Sequence, residues 1–437
     1  MREVLNGDRA GKIFDSCERK WYDEFNALME QGEKMTAVQD RQEESTKYSL
    51  QDAGFKKIMI AMTSASILVF ANLYFVQPIM PLLADSFDIT SAAAGLSLSA
   101  AVVSMIFGLL FFGFLSDRIG RVSIMNFTLV CTMIPLVLLP IAPNFETFLV
   151  LRFLQGFCIA GLPAAAIAYL GEELDPRSIS LGITMYIAAN AIGGMAGRIF
   201  VGYIADMATW QTSVYFLFGF SILLFVLYFI TLPKSHYFSP SKRSVQKDLS
   251  GMASHLKNTK LFPAFAMGIL LQFSFTGVWT YLPFYLEQDP FNLSVKNISF
   301  TYLAYSFGIV GSILGGRLSS YYRQTTLVSV GTVILIGGTL LTNLHSLSVI
   351  VIGLCLTCLG FFVAHSLMAA IVNERAAHHK AGASSIYLVS YYLGVATGGT
   401  LAGLVWQTGG WTGITVVSFG LLPVVMWLLA GSRKVHR

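Results

Sequence analysis

The chain has 437 residues, of which 54% are hydrophobic and only 12% charged, with a net charge of +5. Soluble domains carry about 25% charge, so this composition excludes an ordinary water-soluble globule. The small basic excess does not mark a nucleic-acid binder either, because the basic residues are spread over separate loops rather than gathered in one patch.

Charge is concentrated at the start. Residues 1–57 hold 10 Lys/Arg and 12 Asp/Glu, against 19 and 12 in the remaining 380 residues. They lack the apolar core of a secretory signal, so the first apolar run is expected to be its own uncleaved insertion signal. Trp21, Tyr22, Phe25 and Leu28 allow a short interfacial helix in this polar tail. Disorder is the favoured expectation, or an over-long start with Met35 as the true initiator.

A bilayer core takes roughly 20 apolar residues per helix. Twelve such runs follow, at 58–80, 92–115, 122–142, 146–171, 180–204, 211–232, 261–286, 297–318, 325–343, 346–372, 382–406 and 411–431. Barrel strands would instead read as segments of about 10 residues in strict alternation. The expected fold is therefore an all-α integral membrane protein with twelve transmembrane helices. With both termini cytoplasmic, the inner loops carry Arg118, Arg121, Arg177, Lys234, Lys242, Arg243, Arg317, Arg323, Arg375 and other basic residues, and the outer loops only Lys296. The positive-inside rule sets that orientation. Cys355 and Cys358 have redox spacing but lie in an apolar run, where small buried hydrophobes are the expected reading.

The longest gap, 233–260, is basic and Ser/Pro-rich, with Asp248 its one acid. It reads as a cytoplasmic linker between an N-terminal six-helix bundle (58–232) and a C-terminal one (261–431), with 432–437 a cytoplasmic tail. The two sets repeat each other. Phe70, Tyr74 and Pro78 match Phe275, Trp279 and Pro283. Gly108, Gly113 and Leu115 match Gly311, Gly316 and Leu318, and Gly156 matches Gly360. Tyr186, Gly193, Gly197 and Gly202 match Tyr387, Gly394, Gly398 and Gly403. A parallel repeat of six spans implies two pseudo-symmetric bundles with solute bound between them near mid-depth. Gly193/Gly197, Gly308/Gly311/Gly315 and Gly394/Gly398 with Gly399/Gly403 make small faces at helical spacing. Such faces allow close backbone approach, and their placement on equivalent helices predicts contact between the bundles.

Between the second and third runs lies Gly113-Phe-Leu-Ser-Asp117-Arg118-Ile-Gly120-Arg121. This stretch closely resembles the signature loop between helices 2 and 3 of the major facilitator superfamily of secondary transporters. In that family the matching acid and arginines latch the two bundles on the cytoplasmic side when the cavity opens outward. The resemblance assigns that gating role to Asp117, Arg118 and Arg121, flanked by Gly113 and Gly120. The second half has Ser320 where Asp117 would repeat, so the latch is asymmetric.

Arg152 begins an Arg-x-x-Gln-Gly pattern with Gln155 and Gly156. An intramembrane arginine costs at least roughly 2.5–3.5 kcal/mol, so it must face a cavity or a partner, or snorkel to the nearby surface. The pattern resembles the family's helix 4 motif, in which the arginine is linked to proton coupling. In the fifth run, Gly193-Gly194-Met-Ala-Gly197-Arg198 resembles a departed Gly-Pro-x-x-Gly-Gly motif of drug/proton antiporters. Gly194 stands for the proline and Arg198 for the last glycine. A second arginine suits an anionic or sugar-like solute better than a lipophilic cation. His365 is the one histidine well inside a run, and its ordinary pKa of about 6.5 suits a proton carrier. No carboxylate lies deep in any run, which is awkward for proton antiport. Asn72, Tyr74, Gln77, Asn190, Trp279, Tyr281, Tyr387, Tyr391 and Tyr392 are candidate cavity residues, because polar groups in lipid need partners.

Within the family, the sequence is most similar to bacterial inner-membrane efflux permeases of the arabinose-efflux type, in the drug/proton antiporter group. The resemblance implies a monomeric secondary active transporter, without catalytic residues, metal or cofactor, that exports a sugar-like, anionic or drug-like solute in exchange for protons. The alternatives are a symporter importing an organic anion, with Arg152 and Arg198 as carboxylate contacts, and a non-transporting receptor or lipid-handling protein with a transporter fold.

Overall fold

The structure is a computed structural model that describes residues 47–240, 255–256, 258, 261–376, 380–425 and 427. The expectations for 1–46, including Met35, for most of the linker and for the 432–437 tail lie outside the described residues.

Ten helices cross singly: α1 (Ala53–Phe87), α2 (Ser91–Ile119), α3 (Arg121–Ile141), α4 (Phe145–Glu173), α5 (Ile179–Met207), α6 (Trp210–Thr231), α7 (Phe262–Glu287), α8 (Val295–Leu318), α9 (Gln324–Leu341) and α10 (Leu347–Arg375). The eleventh apolar helix, Gly382–Val425, is 44 residues long. At about 1.5 Å per residue it is twice what a bilayer core needs. Gly410 breaks it, with φ 56° and ψ −148°, a conformation open to glycine and not to L side chains. The chain reverses there into α11 (382–409) and α12 (411–425), which restores the twelve expected crossings. No sheet forms among the described residues; Tyr48 and Leu174 make one isolated bridge.

Helix α1 is interrupted where the sequence removes a backbone donor. Pro78 has no N–H, so α1 is helical over Ala53–Tyr74, passes through a 3-10 turn at Gln77–Ile79, and resumes over Met80–Phe87. The span starts earlier and ends later than the 58–80 read from hydropathy. Helix α8 passes through a 3-10 turn at Thr301–Ala304 that contains no proline.

Within each half the closest packing is α7 on α11, α9 on α10, α1 on α5 and α8 on α10. Here the glycine expectation is corrected. A methyl on Gly193 or Gly197 would fall 2.6 Å from the Cα of Ile67 or Ala71 in α1. On Gly398 it would fall 2.7 Å from Phe273 O in α7, and on Gly311 2.6 Å from Leu359 O in α10. These small faces seat helices inside their own half, because α1 and α7 run through the middle of each bundle and need thin neighbours. Contact between the halves is made by α2 on α11 and α5 on α8. There Gly399 and Gly403 do serve as expected, abutting Ser99 and Ala92 of α2. Gly202 of α5 lies against Ser299 of α8.

Those contacts share one end of the molecule. The side chain of Ser99 donates to Ala396 O at 2.6 Å and accepts from Thr400 at 2.7 Å, and Gln77 donates to Thr280 at 3.0 Å. All lie from mid-depth toward the end carrying Asp88. At the opposite end, which carries Asp117, Gly113 and Gly316 have open space beside them. Tyr74, His365 and Tyr391, facing one another at mid-depth, are only half-buried. The halves therefore close at the Asp88 end over a cleft that opens toward Asp117.

A bulky residue at the α5–α8 contact should wedge this closure apart. Gly202→Leu is expected to lengthen the distance between spin labels at Met207 and Phe300, both exposed. Gly219→Leu, which faces open space, should leave it unchanged. Equal distances in both variants would show that the halves are not held there.

Candidate solute site and gating loop

Arg152 is fully buried in α4 and does not snorkel. Its Nε donates to Ser97 O at 3.0 Å, Nη1 to Asn72 O at 3.0 Å and to the Gln155 side chain at 2.5 Å, and Nη2 to Leu73 O at 2.7 Å. The guanidinium also lies 5.1 Å from the Phe75 ring centre. The Asn72 and Leu73 carbonyls are among the last of the first helical piece of α1, where a helix runs out of donors. The arginine supplies them. Gln155 donates to Asn72 Oδ1 at 3.1 Å, and Asn72 Nδ2 donates to Ser221 of α6 at 2.9 Å. Arg152, Gln155 and Asn72 thus form one internal network tying α1, α2, α4 and α6.

Arg198, in α5, is 2% exposed and sits where the halves meet. It donates to Gln77 Oε1 at 2.6 Å, to Gly194 O at 2.7 Å and, more weakly, to the Tyr305 hydroxyl at 3.4 Å. The rings of Tyr74, Tyr305 and Tyr302 surround its guanidinium at 4.3, 4.8 and 5.2 Å. Such placement is attractive through the ring quadrupoles, most of all where water is excluded. Tyr302 and Tyr305 belong to α8, so the cage is built from both halves. Trp279 of α7 packs on them at 5.0 and 4.7 Å. Its carbonyl accepts from the Tyr302 hydroxyl at 3.1 Å, while its indole N–H is buried without a partner.

His365 of α10 lies on the C-terminal wall of the cleft. Its Nδ1 meets the Tyr387 hydroxyl at 3.0 Å, and its ring stacks between Phe361 and Tyr387, with Tyr391 at 4.7 Å. Phe361 stacks in turn on Phe275 at 3.9 Å. Tyr391 lies beside Tyr74 of the other half and edge-on to Tyr392.

At the Asp117 end, Arg121 pairs with Asp117 one turn away and with Glu172 of α4 at 3.0 Å. It also donates to Ser116 at 2.9 Å. Gly120, with φ 115°, makes the turn between α2 and α3. Phe238 lies over Gly120 and under the Arg121 guanidinium. Next to this cluster Glu173 is buried and gathers two further segments. Its carboxylate accepts from Ser235 Oγ at 2.8 Å and from the N–H groups of His236 and Tyr237 at 2.7 and 3.3 Å. Its backbone carbonyl accepts from Tyr48 N at 3.0 Å.

The geometry invites comparison with known proteins. Residues 62–398 match the family described as Major Facilitator Superfamily. The chain belongs to that superfamily. It is 36% identical over 384 residues to the "uncharacterized MFS-type transporter YybF" of Bacillus subtilis (strain 168), covering 87% of this chain and 95% of the relative. It is 34% identical over 383 residues to the "inner membrane transport protein YnfM" of Escherichia coli (strain K12), covering 88% and 91%. A solved bacterial homologue of the human lysosomal transporter Spinster, inward-facing and unoccupied, superposes with a TM-score of 0.73 at 14% identity, over 88% of this chain and 98% of that one.

In this superfamily member, the sequence-derived candidates divide into three groups. Tyr74, Gln77, Arg198, Trp279, His365, Tyr387, Tyr391 and Tyr392 gather around the cleft floor. Asn72, Arg152 and Gln155 instead hold the broken α1 from inside the first half. Asn190 accepts a hydrogen bond from Ser66, joining α5 to α1. Tyr281 donates to Gly399 O at 2.9 Å and seals α7 against α11. Sequence reasoning missed Tyr302, Tyr305 and Thr280. The tyrosine pair at i, i+3 was a usable signal, hidden because it lies in a run read only as a span. Glu173 stands outside the sequence-derived candidates, because an acid at the end of an apolar run carries no signal of what it will grasp.

Arg152→Ala strands the Asn72 and Leu73 carbonyls and the Gln155 side-chain oxygen, each worth roughly 1–3 kcal/mol when left unsatisfied. It is expected to lower the melting temperature of the detergent-solubilised protein sharply. Arg152→Lys, with donors that cannot fork, should recover only part of the loss. An unchanged melting temperature for Arg152→Ala would refute the bracing role.

Proposed function

We propose that this transporter carries a small polar or anionic solute across the cytoplasmic membrane by alternating access, and exports it in exchange for protons. The observation that carries the reading is the one-ended closure of two pseudo-symmetric halves over a floor of arginine, tyrosine and tryptophan. A site built by both halves and covered from one end only is what alternating exposure requires. The basic loops support a cytoplasmic Asp117 end, the orientation in which this conformation faces inward.

The gating loop supports the same reading. Arg121 holds Asp117 and Glu172, both of its own half, the disengaged position for a latch that closes when the cleft opens outward. His365 is the proposed proton carrier. It lies in the cleft wall among hydroxyl groups, and no carboxylate lies deep within the described spans.

The test uses everted membrane vesicles carrying a pH-sensitive dye and an imposed proton gradient. Sugars, organic acids and lipophilic cations are added in turn. Export by antiport predicts that at least one class dissipates the gradient only in vesicles containing the protein. A solute that moves with the proton instead would establish symport and overturn the exchange. His365→Ala is expected to flatten the pH dependence of the flux while leaving folded protein; a profile identical to the parent would remove His365 from the proton path.

A further inference from the structure

Two side chains at the centre of the molecule, Arg198 and Trp279, carry hydrogen-bond donors that no acceptor among the described residues meets. A guanidinium carries five N–H donors. Arg198 directs three of them at Gln77, Gly194 and Tyr305, the last at a long 3.4 Å. Two have no acceptor among the described residues. One ring away, the Trp279 indole N–H is fully buried and also unpartnered. Indole nitrogen can only donate, so no rearrangement of Trp279 makes it an acceptor for the arginine. These unmet donors come from α5 in one half and α7 in the other, and the Tyr305 ring of α8 touches both side chains.

The charge is uncompensated as well. Among the described residues neither Arg152 nor Arg198 makes an ion pair. For Arg152 this is tolerable, because four acceptors on three helices take up four of its five donors. Arg198 has no such set. A buried charge that lacks full pairing is costly, and one held between two separating bodies points to an incoming group of opposite sign. A carboxylate offers lone pairs on two oxygens and fits an arginine fork side by side. The surroundings of the donors are aromatic: Tyr74, Tyr302, Tyr305 and Trp279 present flat apolar walls.

We infer that the transported solute is a small organic anion with a carboxylate and a planar, aromatic or unsaturated body. The carboxylate is bound by Arg198 and the Trp279 N–H, and the body is sandwiched by the tyrosines. Tyr74, half-buried at the cleft floor and 4.3 Å from the guanidinium, moves aside to admit it. Bound in this way, the anion bridges the halves and neutralises the charge that must change sides. The inference rests on the transporter reading and narrows its solute class.

The experiment compares melting temperatures of the purified protein with benzoate and cinnamate and with their uncharged amides, benzamide and cinnamamide. The carboxylates should raise the melting temperature and the amides should not. Trp279→Phe keeps an aromatic ring and removes the unpartnered donor; the smaller ring costs the empty protein some melting temperature, so benzoate affinity and not stability is the readout. Its benzoate affinity should fall about tenfold, the value of one hydrogen bond to a charge. Arg198→Lys keeps the charge without the fork, and should weaken benzoate by a similar or larger factor. Stabilisation by the amides equal to that by the acids, or unchanged benzoate affinity in Trp279→Phe, would overturn the inference. Stabilisation by sugars or lipophilic cations but not by carboxylates would overturn it while leaving the transporter reading intact. If the vesicle assay also shows no solute class moving, the transporter reading falls with it.

Discussion

The interior of this protein depends on a guanidinium that caps a broken helix. Pro78 prevents α1 from running straight, and the last carbonyls of its first piece would be stranded in a medium without water. Arg152 takes them up from the neighbouring helix α4. With the break held open, the chain between Tyr74 and Pro78 points inward instead of completing a helical turn. Tyr74 then covers Arg198, and Gln77 links Arg198 on one side to Thr280 on the other. The contact between the halves at mid-depth is thus a downstream effect of an arginine that touches only its own half.

The two halves share a plan but divide the chemistry. Tyr74 and Trp279 hold equivalent places on α1 and α7, and both line the cage. The first half supplies both buried arginines; the second supplies His365, Tyr302, Tyr305 and the rest of the aromatic wall. The interfaces follow the repeat too, since α2 with α11 and α5 with α8 are the same pairing seen from each half. The Asp117 end is less even. Asp117, Arg121 and Glu172 form a charged cluster in the first half, whereas Ser320 stands at the matching place in the second.

Much of this was legible in the sequence. Runs of about 20 apolar residues and a repeat of near-constant offset can arise in few ways, so the twelve crossings and the twofold plan were readable, even where Gly410 reverses the chain with no loop. The burial of Arg152 was not, because an arginine a few residues inside a span can snorkel or brace. Only the broken backbone of α1 decides between those outcomes, and hydropathy does not record a lost donor. The glycine faces misled for a related reason. Small residues signal close approach but not the identity of the neighbour, and here α1 and α7 claim them ahead of the opposite half. Tyr302 and Tyr305 were hidden because a tyrosine within a span reads alike whether it points to lipid, a neighbour or a cage.

Glu173 has a mechanical consequence. By grasping Ser235, His236 and Tyr237 with its side chain and Tyr48 with its backbone, it nails the root of the connecting chain beneath α4. The chain that leaves α6 is therefore tied off under the first half, several residues beyond Thr231. Its departure point toward α7 is thus a fixed one beside the Arg121 cluster, not the free end of α6.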